Sequence, residues 1–141
     1  MASSWRNKIF PEVVKRLRAE GFDVYDFRTP VENDAKKFEW SDISKDWQQW
    51  SAEKFREQLS HPLAERAFLT DWNACLKADA AVLLLPCGRS AHLEAGYFIG
   101  AKKPLIVLLS DAEPELMYKM TPDICLNIDE VIAALRKYFP A

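Results

Sequence analysis

No apolar run in this chain of 141 residues is long enough for a membrane-spanning helix, and the N-terminus lacks the apolar stretch of a signal peptide. An excess of charge of one sign is also missing, because the formal net charge is only −2. We therefore expect neither a nucleic-acid polymer nor a membrane surface as partner. Repeats and low-complexity segments are absent too, and the overall composition is typical of a soluble globular protein.

Cysteine is scarce, with only Cys75, Cys87 and Cys125 in the sequence. Their number is odd and no two of them form a metal-binding pair, so we predict a reducing, cytoplasmic location and no bound metal. The G-x-G-x-x-G fingerprint of dinucleotide sites is missing as well, because Gly88 stands alone in its loop. We expect no cofactor.

Two almost continuous apolar runs, Ala80–Leu85 and Pro104–Leu109, are typical of strands that are covered on both faces. Amphipathic helical patterns alternate with them, which indicates a parallel sheet. We predict one domain over residues 1–141, an α/β fold with a single doubly wound, flavodoxin- or Rossmann-like sheet and helices on both faces. The first helix begins so early that the first strand is truncated to about Met1–Ser3.

The predicted elements follow from periodicity and from capping residues, with Gly21 ending the first helix and Ser51 and Asp129 as N-caps. In chain order they are a helix over 8–20, a strand over Asp23–Phe27, a loop with a short helix over 30–50, helices over 51–59 and 62–77, the strand Ala80–Leu85, a helix over Ala91–Ala101, the strand Pro104–Leu109, a helical turn over 113–120, a strand over Asp123–Ile128 and a helix over Asp129–Phe139.

Ligands of open α/β sheets bind beyond the carboxyl ends of the strands, and two loops of this chain are expected there. Each loop offers serine hydroxyls, an arginine and backbone N–H groups at a helix start, a combination that suits a phosphate group. The alternative is that Ser4 and Ser90 are simple N-caps. The candidate residues are Ser4 and Arg6 in the first loop, and Gly88, Arg89, Ser90 and His92 in the second.

Glu94 falls in the first turn of the predicted helix Ala91–Ala101. The helix dipole would keep a carboxylate there ionised, as a nucleophile requires. The alternative is that Glu94 only follows the general preference of acidic residues for first turns.

Asp71 lies in a predicted helix among apolar neighbours. It is either a solvated residue on the helix surface or a partly buried acid with a raised pKa. In the second case Asp71 and Glu94 would form the unequal carboxylate pair that cleaves glycosidic bonds, one as proton donor and one as nucleophile.

The stretch from Asp71 to Pro104, DWNACLKADAAVLLLPCGRSAHLEAGYFIGAKKP, resembles the core of the nucleoside 2-deoxyribosyltransferase family. The shared pattern is a helical Asp, an Ala-Asp before an apolar strand, a loop of small residues, Glu-x-Gly, and Lys-Pro before the next strand. The N-terminal ASSWRN is similar to the loop of the branch that hydrolyses deoxynucleoside 5′-monophosphates.

The resemblance implies that Glu94 attacks the sugar C1′ and that Asp71 holds or protonates groups at the reacting centre. Ser4 and Arg6 would hold the phosphate. It also implies that Glu115-Leu116-Met117 completes the site of a neighbouring subunit, which predicts at least a homodimer. Without the resemblance this segment is a surface turn.

The chain departs from the family pattern in three places. His92 stands where the family usually has glycine; it either contacts substrate or makes structural hydrogen bonds. The family's tyrosine in the first strand has no counterpart. Three tryptophans have no match, and they either stack on a base or pack in the core or at a subunit contact: Trp40, Trp47 and Trp50.

The sequence therefore predicts cleavage of the N-glycosidic bond of a nucleoside or nucleoside 5′-monophosphate, by hydrolysis or by base transfer. A non-catalytic nucleotide-binding or sensing module is the alternative. A third possibility, cleavage of the nicotinamide bond of NAD, is an analogy at the level of the fold only.

Overall fold

The computed structural model describes residues 1–29, 37–110 and 113–141, which divide into two compact units. The first unit comprises Met1–Asp26 and Ala78–Ala141, and the second comprises Phe27–Lys77. The prediction of one domain over residues 1–141 stays a prediction. The elements are helices α1 (Phe10–Ala19), α2 (Ala52–Gln58), α3 (Pro62–Lys77), α4 (Arg89–Gly100) and α5 (Ile128–Tyr138), and strands β1 (Ala81–Leu84), β2 (Leu105–Leu108) and β3 (Asp123–Cys125).

An open sheet of three parallel strands, in the order β1-β2-β3, forms the centre of the first unit. Val82 lies opposite Ile106, and Val107 lies opposite Ile124. Every residue of β1 and β2 is buried, as the two continuous apolar runs predict. The α/β class and the parallel sheet are therefore confirmed.

The N-terminal segment adds a single parallel bridge to the free edge of β1, between Ala2 and Leu83. The Ala2 N–H donates to the Val82 carbonyl at 2.9 Å, and the Ala2 carbonyl accepts from the Leu84 N–H at 2.9 Å. This agrees with the expected truncated first strand.

The predicted strand Asp23–Phe27 is wrong, because these residues form no ladder. The Met1 amino group donates to the Tyr25 carbonyl at 3.3 Å. A strand forms only where an adjacent strand offers a row of backbone N–H and C=O groups. The adjacent N-terminal segment is reduced to one bridge and does not offer that row.

Two helices pack against the sheet. Helix α4 packs on β1 and β2, and α5 packs on β2, β3 and α1. Helix α1 buries Phe10, Val13, Val14 and Leu17, the face that its periodicity predicts. Gly21 ends α1 with a φ of 86°, and the Phe22 N–H then donates back to the Leu17 carbonyl, as the glycine stop predicts.

One predicted helix cap is confirmed and one is wrong. The Ser51 hydroxyl accepts from the Lys54 N–H at 3.2 Å and caps α2. Asp129 does not cap α5, because Asn127 has the extended backbone of a cap and its side-chain oxygen accepts from the Glu130 N–H at 2.9 Å. The helix therefore begins at Ile128, and Asp129 lies in its first turn.

The second unit is helical in its described part. Residues 37–50 form two 3-10 turns, Trp40–Asp42 and Trp47–Gln49, in place of the predicted short helix, while 30–36 lie outside the described residues. The Trp40 ring meets three rings edge-on, those of Phe38, Trp50 and Phe55 at 5.0, 5.9 and 5.5 Å between centroids. This cluster favours the packing role for Trp40 and Trp50.

The helices in the described ranges are all too short or too polar to cross a lipid bilayer.

Candidate functional site

The N-terminal loop lies against the carboxyl end of β1, where the second predicted phosphate loop begins. The buried Asn7 side chain donates from Nδ2 to the carbonyls of Leu85, at 3.1 Å, and Pro86, at 3.3 Å. The Ser3 hydroxyl donates to the Leu84 carbonyl at 2.9 Å. The two loops that the sequence singled out are therefore adjacent at the edge of the sheet where ligands of such folds bind.

Asn7 is a residue that sequence reasoning missed. Its Oδ1 also accepts from the Ile9 N–H at 3.1 Å, so one amide both shapes the start of α1 and joins the two loops. An Asn just before a helix is the signal that could have found it, because such side chains readily bond nearby backbone.

The N-cap interpretation of Ser4 and Ser90 is wrong. The Ser4 hydroxyl accepts from the Arg6 N–H at 3.2 Å inside the loop, while α1 begins at Phe10 after Ile9. Ser90 is the second residue of α4, whose N-cap is Gly88. The Ser4 contact shapes a tight loop that presents Arg6 to solvent.

Two arginines and a hydroxyl at this edge have no partner among the residues that the structure describes. The guanidinium groups of Arg6 and Arg89 are exposed and make no ion pair or hydrogen bond there, and the same holds for the Ser90 hydroxyl. An anionic group would use guanidinium donors of this kind, one from the N-terminal loop and one from the first turn of α4.

Glu94 lies one turn further into its helix than the sequence predicts. Gly88 has the extended backbone of the cap, with φ −95° and ψ −166°, so Arg89 and Ser90 are already helical and Glu94 falls in the second turn. The prediction of a first-turn position is wrong. Because the helix dipole acts mainly within the first turn, it contributes little to keeping Glu94 ionised.

The carboxylate of Glu94 is half-buried and close to the thiol of Cys87. Burial and, second, the negative charge of Glu94 raise the pKa of the Cys87 thiol to about 11. A thiol with so high a pKa is protonated near neutral pH and is therefore a poor nucleophile.

His92 makes structural hydrogen bonds, as one of the two interpretations of this residue holds. Its Nδ1 lies 2.8 Å from the Gly88 carbonyl and its Nε2 lies 2.9 Å from the Tyr118 hydroxyl. The two rings are nearly parallel, at 14° and 5.9 Å between centroids. The Cys87 sulfur lies 3.6 Å from Nδ1.

Tyr118 is the second residue that sequence reasoning missed. Burial, followed by the charges of Cys87 and Glu115, raises the pKa of its hydroxyl. The signal that could have found Tyr118 is an aromatic residue in an otherwise exposed turn, because such a side chain typically attaches the turn to the rest of the protein.

The segment Glu115–Met117 lies at the start of a 3-10 turn, Leu116–Met120, close to the second loop. The Glu115 carboxylate accepts from the Met117 N–H at 2.9 Å and so caps its own turn. Leu116 is 74% exposed and Met117 is 55% exposed. Through the hydrogen bond between Tyr118 and His92 this turn is attached to α4 of its own chain.

Asp71 lies on α3 in the second unit and its side chain is exposed, as the solvated interpretation predicts. Glu94 belongs to the first unit, and the pairing of these two carboxylates stays a prediction.

The three cysteines form no disulfide. Nor does the described part of the chain contain a cluster of three His, Cys, Asp or Glu side chains that could hold a metal ion.

Comparisons with protein-family models, with curated proteins and with solved structures found no match to this chain. The functional assignment consequently depends on the site residues and on the resemblance of the two sequence stretches.

Proposed function

We propose that this chain cleaves N-glycosidic bonds, with Glu94 as the nucleophile. Within that class we propose a nucleoside 2-deoxyribosyltransferase-like enzyme acting on a nucleoside or, preferably, a nucleoside 5′-monophosphate. The observation that carries the proposal is a half-buried Glu94 together with two exposed arginines at the ligand-binding edge of the sheet, Arg6 in the N-terminal loop and Arg89 in the first turn of α4, neither of which has a partner among the described residues. A carboxylate and an anion site at one edge fit a substrate with a phosphate at one end of its sugar.

The proposed reaction runs in two steps. A carboxylate oxygen of Glu94 attacks C1′ while the C1′–N bond breaks and its electron pair leaves with the base, giving a glycosyl ester. Water, or the nitrogen of a second base, then attacks C1′ and releases Glu94. Asp71 would hold or protonate groups at the reacting centre, and Arg6, Ser4, Arg89 and Ser90 would hold the phosphate.

The proposal extends to the fold and the assembly. We expect a doubly wound sheet with α4 on one face and α1 and α5 on the other, supported by the contacts of α4 with β1 and β2 and of α5 with α1. A homodimer is supported by exposed apolar side chains around the Glu115–Met117 segment: Leu93, Leu116, Met117 and Met120. A cytoplasmic location stays our expectation.

The decisive experiment is chromatography of free base after incubation with a panel of nucleosides and 5′-monophosphates, with and without a second base as acceptor. We expect release by the wild type, loss in Glu94→Gln, and wild-type rates in Glu12→Gln, a matched exposed glutamate on α1. Release that persists in Glu94→Gln would remove Glu94 from the mechanism.

The phosphate site has its own test. Arg6→Ala and Arg89→Ala should raise KM for a 5′-monophosphate about tenfold or more while leaving KM for the matching nucleoside within about twofold, because only the first substrate carries the anion. Equal losses on both substrates would contradict a phosphate role.

A second candidate is a non-catalytic nucleotide-binding module that uses the same residues to bind its ligand. It is favoured by the reduction of the first strand to one bridge at Ala2 and by the bulk of His92 two residues before Glu94. Thermal stabilisation by a 5′-monophosphate without any free base would support it.

A further inference from the structure

The 3-10 turn Leu116–Met120 is held to the rest of its unit at few points. Its side chains are mostly exposed, and Tyr118 is its one half-buried residue. The next residue along the chain, Thr121, is buried and donates its hydroxyl to the Leu105 carbonyl. The C-terminal end of the turn is thus fixed on the sheet, while its middle is attached to α4 by Tyr118 alone among the contacts described.

The contact between His92 and Tyr118 has a defined polarity. The Gly88 carbonyl can only accept, so Nδ1 of His92 carries the proton and donates to it. In the neutral ring Nε2 is then an acceptor, and the Tyr118 hydroxyl donates its proton to it. Both ring nitrogens and the hydroxyl proton are thus engaged in hydrogen bonds between Gly88, His92 and Tyr118.

We propose that His92 and Tyr118 form a positioning pair that holds the turn, with Glu115 and Met117, against the N-terminal part of α4 for substrate binding. This inference rests on the proposed function and adds a role to residues outside its chemistry. A positioning pair of this kind affects how tightly substrate binds, because it sets the position of Glu115 and Met117. It leaves the bond-breaking step at Glu94 unchanged.

The kinetic test compares His92→Ala, Tyr118→Phe and the double variant. We expect each single variant to raise KM about three- to tenfold with kcat within about twofold, and the double variant to be no worse than either single one. His92→Gln, whose amide oxygen can accept from Tyr118, should recover most of the loss. Tyr138→Phe is the matched control, since it removes a bonded phenolic hydroxyl on α5 and should leave KM unchanged.

Three measurements test the His92–Tyr118 pair without catalytic turnover. Hydrogen exchange over residues 113–121 should become faster in Tyr118→Phe, and nitrogen NMR should find His92 protonated at Nδ1 in the wild type and altered in that variant. The affinity for deoxyadenosine 5′-monophosphate, measured by calorimetry, should fall by the same three- to tenfold factor, about 0.6 to 1.4 kcal/mol.

The possible failures are distinguishable. A wild type that releases no base overturns the proposed function, while exchange and affinity still report on the pair. Unchanged exchange and unchanged affinity in Tyr118→Phe, or a loss confined to kcat, would overturn the positioning pair even in an active enzyme.

Discussion

The electrostatic influence of Glu94 on Cys87 gives a prediction that needs no knowledge of the substrate. Burial and the Glu94 charge together raise the pKa of Cys87 from 9.0 to about 11, and burial is the larger cause. Glu94 therefore accounts for less than half of the rise, so Glu94→Gln should lower the pKa by no more than about 1. The thiol of the variant should still titrate above pH 9.0.

The assay is alkylation by iodoacetamide from pH 7 to 12, resolved by peptide mass spectrometry so that Cys87 is followed separately from the buried Cys75 and Cys125. Since only the thiolate reacts, the pH of half-maximal rate reports the pKa. We expect about 11 for the wild type and for Glu12→Gln, and about 10 to 11 for Glu94→Gln.

Three results would contradict the reasoning. A midpoint near 9 in the wild type would mean that Cys87 is neither buried nor near a negative charge. A midpoint that does not move in Glu94→Gln would mean that Glu94 is not an ionised neighbour of Cys87, and a nucleophile must be ionised. A fall of more than about 1 would instead make charge, and not burial, the main cause.

Three further predictions concern stability, measured by urea unfolding. Tyr138→Phe should cost about 1.5 kcal/mol because the hydroxyl bonds the buried Asp123 carboxylate at 2.6 Å. That hydrogen bond also raises the pKa of Tyr138. Its contribution to the free energy of unfolding is therefore fully present below the pKa of the unfolded state and should be lost as the pH rises through the pKa of the folded state. A Tyr138→Phe variant as stable as the wild type would contradict the role of this hydrogen bond. Ile106→Ala should cost about 2–5 kcal/mol, because Ile106 is fully buried in β2. Gly21→Ala should cost about 1–2 kcal/mol, because Gly21 has a φ of 86°. An equal cost for Gly100→Ala, at an exposed glycine, would argue against backbone strain as the reason.

Much of the fold was predictable because it depends on local patterns. The apolar runs at β1 and β2, the buried face of α1 and the glycine stop at Gly21 each follow from neighbouring residues. The helix Pro62–Lys77 was predicted with its observed ends, since a proline at its start is already suited to the first helical turn.

The wrong predictions share a cause: each depended on a neighbouring strand or on a competing cap residue that the local pattern does not reveal. Asp23–Phe27 has the composition of a strand, yet whether it pairs depends on the length of a neighbour supplied by Met1–Ser3. Asp129 and Ser90 are good capping residues, but Asn127 and Gly88 hold the extended backbone that a cap needs.

The sequence by itself determined the class of fold and drew attention to the two loops and to Glu94, because strand and helix periodicity and short motifs are local properties. Only the tertiary structure decided which groups meet: Asn7 with the end of β1, Glu94 with Cys87, and His92 with Tyr118, 26 residues further along the chain. Such contacts depend on how strands and loops converge at one edge of the sheet, and no spacing in the sequence encodes that convergence directly.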